Sequence, residues 1–159
     1  MANYRVIEDS LQERYLNSRA KIQAYCGGFA NGKTSANCIK ALNIAKDYPG
    51  SNGCIARATY PKLEDTIKKE FLKWCPKGWI KAKNKKENTI TLTNDSVINF
   101  RYIQQQGKNE ESSTSNLLSA NFDWIIVDQI EDPEIEYKDF LDLLGRLRGN
   151  TRYVGTEVS

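Results

Sequence analysis

Apolar and polar positions along this chain follow two periods, and the switches between them mark its elements. Residues 1–21 are mostly polar, with Leu11, Tyr15 and Leu16 at helical spacing, and predict a short amphipathic helix. Residues 22–26 (Ile-Gln-Ala-Tyr-Cys) predict a short buried strand. From Thr34 to Ala45, apolar Cys38, Ala41, Leu42 and Ala45 fall on one helical face. Tyr48-Pro49-Gly50-Ser51-Asn52-Gly53 is a turn cluster that ends this helix, and residues 54–59 predict a second strand. Pro61 opens a helix in which Leu63, Ile67, Phe71 and Trp74 share a face. Glu64 with Lys68 and Asp65 with Lys69 form i,i+4 pairs on its other face.

After residue 76 the period changes. Residues 80–83, 89–93 and 97–103 predict three short strands, with Asn94-Asp95-Ser96 as a hairpin turn, and together an antiparallel meander at the sheet edge. Residues 104–119 are rich in Ser, Asn and Gln and predict a long loop. Phe122-Asp123-Trp124-Ile125-Ile126-Val127-Asp128 is an apolar strand that closes on a carboxylate. Residues 137–148 predict an amphipathic helix with Tyr137, Phe140, Leu141, Leu144 and Leu147 on one side. Gly149-Asn150 stops it, and residues 152–156 begin another strand. The order strand, loop, helix, strand, helix gives an α/β class: a mostly parallel sheet flanked by helices, with an antiparallel hairpin addition.

Composition narrows the chemistry. With 159 residues, 40% hydrophobic and 27% charged, the chain suits one domain with a core large enough to fold alone. No apolar run approaches the roughly 18 residues of a membrane span, and the polar residues 1–8 are not expected to form a signal peptide. The absence of histidine removes His-based acid–base catalysis and most zinc sites. Cys26, Cys38, Cys54 and Cys75 show no C-x-x-C spacing and read as reduced thiols, most of them in the core. A net charge of +3 permits contact with a polyanion without requiring it. Lys81, Lys83, Lys85 and Lys86 cluster at the first turn of the meander, where a solvated turn is the first reading and a nucleic-acid backbone the second.

Two stretches carry the chemistry. Gly27-Gly28-Phe29-Ala30-Asn31-Gly32-Lys33-Thr34 fits G-x-x-x-x-G-K-[ST], the phosphate-binding loop of P-loop NTPases, between a predicted strand and a predicted helix. The glycines let backbone N–H groups turn inward on phosphate oxygens, and the helix N-terminus adds its partial positive charge. Lys33 then reaches the β- and γ-phosphates, and the Thr34 hydroxyl ligates Mg²⁺. The second stretch ends in Asp128, the Walker B pattern. Ligands of such sheets sit at the C-terminal ends of parallel strands, which puts Asp128 beside the loop as a second metal anchor. Gln129 follows, where many P-loop ATPases carry glutamate. A glutamine orients a water but accepts no proton, so Glu131 is assigned the catalytic carboxylate and Gln129 an orienting role. In the competing reading, Glu131 and Asp132 cap a helix starting near Pro133.

In this order the landmarks resemble the ATPase domain of a tailed-phage terminase large subunit, the DNA-packaging motor. The resemblance rests on Gln12 ahead of residues 24–34, on Ile55-Ala56-Arg57-Ala58-Thr59-Tyr60-Pro61-Lys62-Leu63 and on the hairpin of residues 88–102. It rests as well on residues 121–128 and on Leu144-Gly145-Arg146-Leu147-Arg148. It implies an additional-strand (ASCE-type) P-loop fold that binds ATP and Mg²⁺. Gln12 reads adenine, and Gly27, Gly28, Phe29, Ala30, Asn31, Gly32, Lys33, Thr34 and Ser35 bind the nucleotide. Thr156 sits in a coupling segment as a γ-phosphate sensor. Arg101, Arg146 and Arg148 are the candidates for an arginine finger completing a neighbour's site. Implied partners are double-stranded DNA, a portal protein, a small terminase subunit and copies of the chain in a ring, the isolated domain being a monomer, with no membrane. The implied location is the host cytoplasm, transiently on the procapsid. Residues 1–159 then read as the N-terminal ATPase domain of a longer protein with a C-terminal nuclease. The rival readings are a helicase-like or other P-loop ATPase and a nucleotide-binding module with little hydrolysis.

Overall fold

The computed structural model describes residues 5–28, 31–103 and 120–148. Helix α1 spans Leu11–Asn17. Ser10 Oγ caps it by accepting from the Glu13 N–H at 3.1 Å, while the Glu13 carboxylate accepts from the Asp9 N–H at 2.7 Å. Helix α2 spans Lys33–Asp47, and strand β1 spans Asn52–Arg57. A helical run then begins with α3 (Tyr60–Lys62), continues through a π-helical stretch (Leu63–Lys68) and closes with α4 (Lys69–Trp74). Strands β2 (Ile80–Asn84), β3 (Thr89–Leu92) and β4 (Val97–Tyr102) follow, then β5 (Trp124–Val127) and helix α5 (Tyr137–Leu144).

The sheet is mixed, in the order β2-β3-β4-β1-β5. Strand β1 lies parallel to both neighbours, with Ile55 opposite Phe100 and Ile126. The meander β2-β3-β4 is antiparallel, as expected for the edge addition. β1 is buried along nearly its whole length because helices cover both sheet faces. Its alternation divides the core. Ile55 joins α2, the π stretch and α4 through Cys38, Leu42, Leu63, Ile67 and Phe71. Cys54 and Ala56 face a smaller cluster with Ile103, Phe122 and Leu143. Gly53 belongs to β1 rather than to the preceding turn because Trp124 lies across it. A Cβ there would stand 1.9 Å from the indole.

Three expectations are corrected. Residues 22–26 form no strand. Ile22 is 65% exposed, the Gln23 amide is tied to the Ser18 and Ala20 carbonyls, and Tyr25 stacks on Tyr15 of α1 at 5.0 Å instead of entering the core. Helix α5 stops at Leu144, because Leu147 leaves to pair with Phe122. Its buried residue is Leu143, while Tyr137 is 76% exposed. Cys26 is an exposed thiol, whereas Cys38, Cys54 and Cys75 are buried.

Candidate nucleotide site at the strand ends

Because β4, β1 and β5 run parallel, their C-terminal ends share one side of the sheet. The last residue of β1, Arg57, and the residue after β5, Asp128, therefore emerge together, and the Asp128 N–H donates to the Ala56 carbonyl at 2.9 Å. The N-terminus of α2 faces them. Gly32 precedes it with φ +68°, a conformation that suits glycine, and Lys33 and Thr34 form the first turn.

Asp128 is 1% exposed and fully engaged. The Thr34 hydroxyl lies 3.2 Å from one carboxylate oxygen and 3.3 Å from the other. Asn37, one turn along the same face of α2, donates its amide to Asp128 Oδ1 at 2.9 Å. Asn37 Oδ1 in turn accepts from the Tyr15 hydroxyl at 2.7 Å, linking α1 to the site. Arg57 Nη1 lies 3.7 Å from Asp128 Oδ2. The pairing of Thr34 with Asp128 offers two hard oxygen donors, the set that suits Mg²⁺. Among the described residues no group of three His, Cys, Asp or Glu could hold a metal. An ion here would complete its shell with phosphate oxygens and water.

The chain turns sharply after Asp128. Gln129 takes φ +55°, costly for a residue with a Cβ, and the Asp132 N–H closes the turn on the Gln129 carbonyl at 3.1 Å. The turn carries Glu131 to 3.6 Å from Lys33 Nζ, which also donates to the Gly27 carbonyl at 2.7 Å. Glu131 caps no helix, since α5 starts later with Glu136 and Asp139 in a capping box. Two cations hold the turn. Lys62 reaches Asp132 at 2.7 Å and Glu134 at 2.6 Å, and Arg57 donates to the Gln129 side-chain oxygen. The hydrogen bond from Lys62 holds the Asp132 carboxyl below its usual range.

These groups border a cleft of about 600 Å³ between the loop and the wall formed by the π stretch and α4. Asn31, Gly32, Lys33, Thr34, Ser35, Gln129 and Glu131 line it on one side, and Asp65, Thr66, Lys69, Glu70 and Lys73 on the other. The Ser35 hydroxyl donates to Glu70 at 2.5 Å and the Trp74 indole N–H at 2.7 Å. Burial pushes the Glu70 carboxyl up, but these donors and Lys73 outweigh it and hold the group below its ordinary value. Gln12 reaches the loop, its amide nitrogen 3.5 Å from where a Cβ on Gly32 would stand.

Arg101, Arg146 and Arg148, the candidates for a finger that completes a neighbour's site, do not line this chain's own cleft. Arg101 is bound to the carbonyls of Glu87 and Phe100 on the meander, and Arg146 and Arg148 follow α5. The arginine that joins the site is Arg57. Its place in the site follows from the pairing of β1 with β5, which no local pattern in the sequence announces. Asn37 and Glu70 were missed as well. Phe29, Ala30 and Thr156 lie outside the described residues.

No family model and no curated protein matches the sequence. A solved structure matches the fold: the large terminase of a thermophilic bacteriophage, at a TM-score of 0.68 and 15% identity. The match covers 88% of this chain and 36% of that one. The fold is that of part of a phage large terminase. The chain thus spans about a third of that terminase's length, and the share of this chain that is covered takes in most of the elements described above. Among the described residues, no helix is long and apolar enough to cross a membrane.

Proposed function

We propose that the chain is the ATP-hydrolysing motor domain of a terminase large subunit, driving double-stranded DNA into a procapsid. One observation carries this reading: residues far apart in sequence come together in a chain with the terminase fold, Lys33 and Thr34 on α2 and Glu131 after β5 lining one cleft and Asp128 buried directly behind Thr34. In it the loop N–H groups and Lys33 hold the β- and γ-phosphates, and Lys33 gives up Glu131 to do so. Thr34 and Asp128 hold Mg²⁺, which neutralises phosphate charge. Glu131, released from Lys33, accepts the proton of the attacking water. Gln12, Gly27, Gly28, Phe29, Ala30, Asn31, Gly32 and Ser35 complete the nucleotide contacts, and Thr156 senses the γ-phosphate. The fold is then a P-loop NTPase of the additional-strand class, and residues 1–159 are the ATPase part of a longer protein that also carries a nuclease.

An arginine from a neighbouring copy completes the site in the assembled ring, and such fingers contribute about 10³–10⁵ in rate. Portal protein and small subunit are the partners, in the cytoplasm of the host. The test is Lys33→Ala, assayed for binding of a fluorescent ATP analogue, for phosphate release and for thermal unfolding. Release should vanish while the unfolding temperature holds. Unchanged release from a folded variant refutes the reading. Gln129, in a position many such ATPases give to glutamate, favours one second reading, a module that binds ATP with little turnover. Single-turnover hydrolysis decides between the two.

A further inference from the structure

Arg57 is an uncommon object: a guanidinium on a strand, 6% exposed, beside the functional cleft and not assigned above to the nucleotide. Its donors are mostly placed. Nη1 serves Asp128 at 3.7 Å and the Lys62 carbonyl at 3.2 Å, and Nη2 donates to Gln129 Oε1, while Nε is buried with no partner among the described residues. A guanidinium has five N–H donors and no acceptor, so whichever way the Gln129 amide could flip, its oxygen must face Arg57. The orientation of the Gln129 side chain is therefore fixed by chemistry.

That has a consequence for the cleft Gln129 lines. Its oxygen is occupied, and no described residue accepts from its NH₂, which is left with two N–H donors. An attacking water must keep a lone pair for phosphorus and give its proton to an acceptor, and an NH₂ group supplies none. A terminal phosphoryl oxygen, by contrast, is an acceptor that gains charge as the bond to the leaving group breaks. We infer that Arg57 is a positioning residue that locks Gln129 as a hydrogen-bond donor to the terminal phosphoryl group, leaving Glu131 alone as the acceptor for water. The inference rests on the nucleotide site proposed above and replaces the water-orienting role first given to Gln129. The left-handed backbone at Gln129 belongs to the same lock, because it turns Gln129 between Arg57 and the cleft.

Removing one donor aimed at developing negative charge costs on the order of 10²–10³ in kcat. Gln129→Ala should fall in that range with the affinity for an ATP analogue nearly unchanged. Arg57→Lys keeps a cation beside Asp128, so the fold survives, but one ammonium does not replace the fork that reaches both Asp128 and Gln129. Its kcat should fall about as far as that of Gln129→Ala, on the order of 10²–10³-fold. In the Arg57→Lys background, Gln129→Ala should then add less than about twofold, since the two act as one unit. A purely structural arginine would instead be rescued by lysine. Rescued kcat, or losses that simply multiply, overturns the assignment. Gln129→Glu tests it without touching Arg57, because the carboxylate still accepts from Arg57 but offers the cleft no donor. It should lose activity like Gln129→Ala, and retained or raised kcat overturns the inference. Lys33→Ala is run alongside. Hydrolysis that survives Lys33→Ala refutes the nucleotide site itself, whereas hydrolysis lost there together with multiplicative Arg57 and Gln129 effects refutes only the lock.

Discussion

Replacing Gly53 with alanine tests the register that sets the whole site. Gly53 pairs with Trp124 across β1 and β5, and the added Cβ would stand 1.9, 2.0 and 2.4 Å from three indole carbons. Carbon atoms rest at about 3.5–4.0 Å, so the ring must retreat by roughly 1.5–2 Å. Trp124 is 4% exposed and packs in the larger core cluster. Overpacking of this kind typically costs about 1–3 kcal/mol and occasionally more, and the depth of the overlap points to the upper end. For a domain of this size, about 3 kcal/mol lowers Tm by roughly 6–12 °C. Calorimetry or circular dichroism on heating reads this directly. Trp124→Leu, which removes the overlapping ring, should itself cost roughly 2–4 kcal/mol. In that background Gly53→Ala should add less than about 1 kcal/mol, a coupling expected only for residues in contact. A Gly53→Ala protein that unfolds within about 2 °C of the parent, or strict additivity in the double variant, refutes the pairing.

Two further outcomes follow from the same geometry. Lys40, buried on α2, donates to the carbonyls of Tyr15, Leu16 and Ser18 at the end of α1, and burial lowers its pKa from 10.5 to about 8. The unfolded chain then holds more protons between these values, so the parent should gain stability relative to Lys40→Met as pH rises from about 8 to 10.5. A pH-independent difference in urea midpoints contradicts this. Burial pushes the Cys54 thiol up to about 12 and the Cys75 thiol up to about 11, and Cys38 is raised as well, whereas Cys26 is exposed beside Gly27. A thiol reagent should label Cys26 alone in the folded protein, and more slowly with ATP bound. Rapid labelling of a second cysteine refutes the packing described here.

Much of this architecture could be read from the sequence because its longer elements repeat their pattern several times. α2 shows its apolar face over four turns, and the stripe Leu63, Ile67 and Phe71 is buried as its spacing requires. In the meander, β3 alternates half-buried and buried positions, and the turn Asn94-Asp95-Ser96 marks the start of β4. Short elements offered less. Residues 22–26 carry too little apolar surface to compel burial, and the stacking of Tyr25 on Tyr15 joins partners in different segments, outside any local period. In α5 the periodicity marks an apolar stripe but not which residues meet the sheet. Only the packing against Cys54, Ala56 and Phe122 selects Leu143. The carboxylate just after β5 and the Lys33-Thr34 pair are legible as motifs. Arg57 is not, because a contact with Asp128 and Gln129 depends on which strands are neighbours.

That dependence explains how a modest set of polar residues makes a specific site. An ionised carboxylate has about four lone-pair positions, and Asp128 already receives Thr34, Asn37 and Arg57. Burying it so deeply without them would cost several kcal/mol, and Arg57 needs its partners for the same reason. The three partners differ in what they can release. Asn37 is held by Tyr15 and Arg57 is held within the sheet, so neither can leave without exposing a buried group. Thr34 is half-buried at the mouth of α2, and its contact is the longest of the hydrogen bonds to Asp128. Thr34 and Asp128 are therefore the residues that would hold a divalent ion, which would supply positive charge against phosphate, while Asn37 and Arg57 would keep Asp128 in place. The strand register fixed by Gly53 and Trp124 thus reaches the chemistry: it holds Asp128 against Arg57 and leaves its Thr34 side as the one that opens.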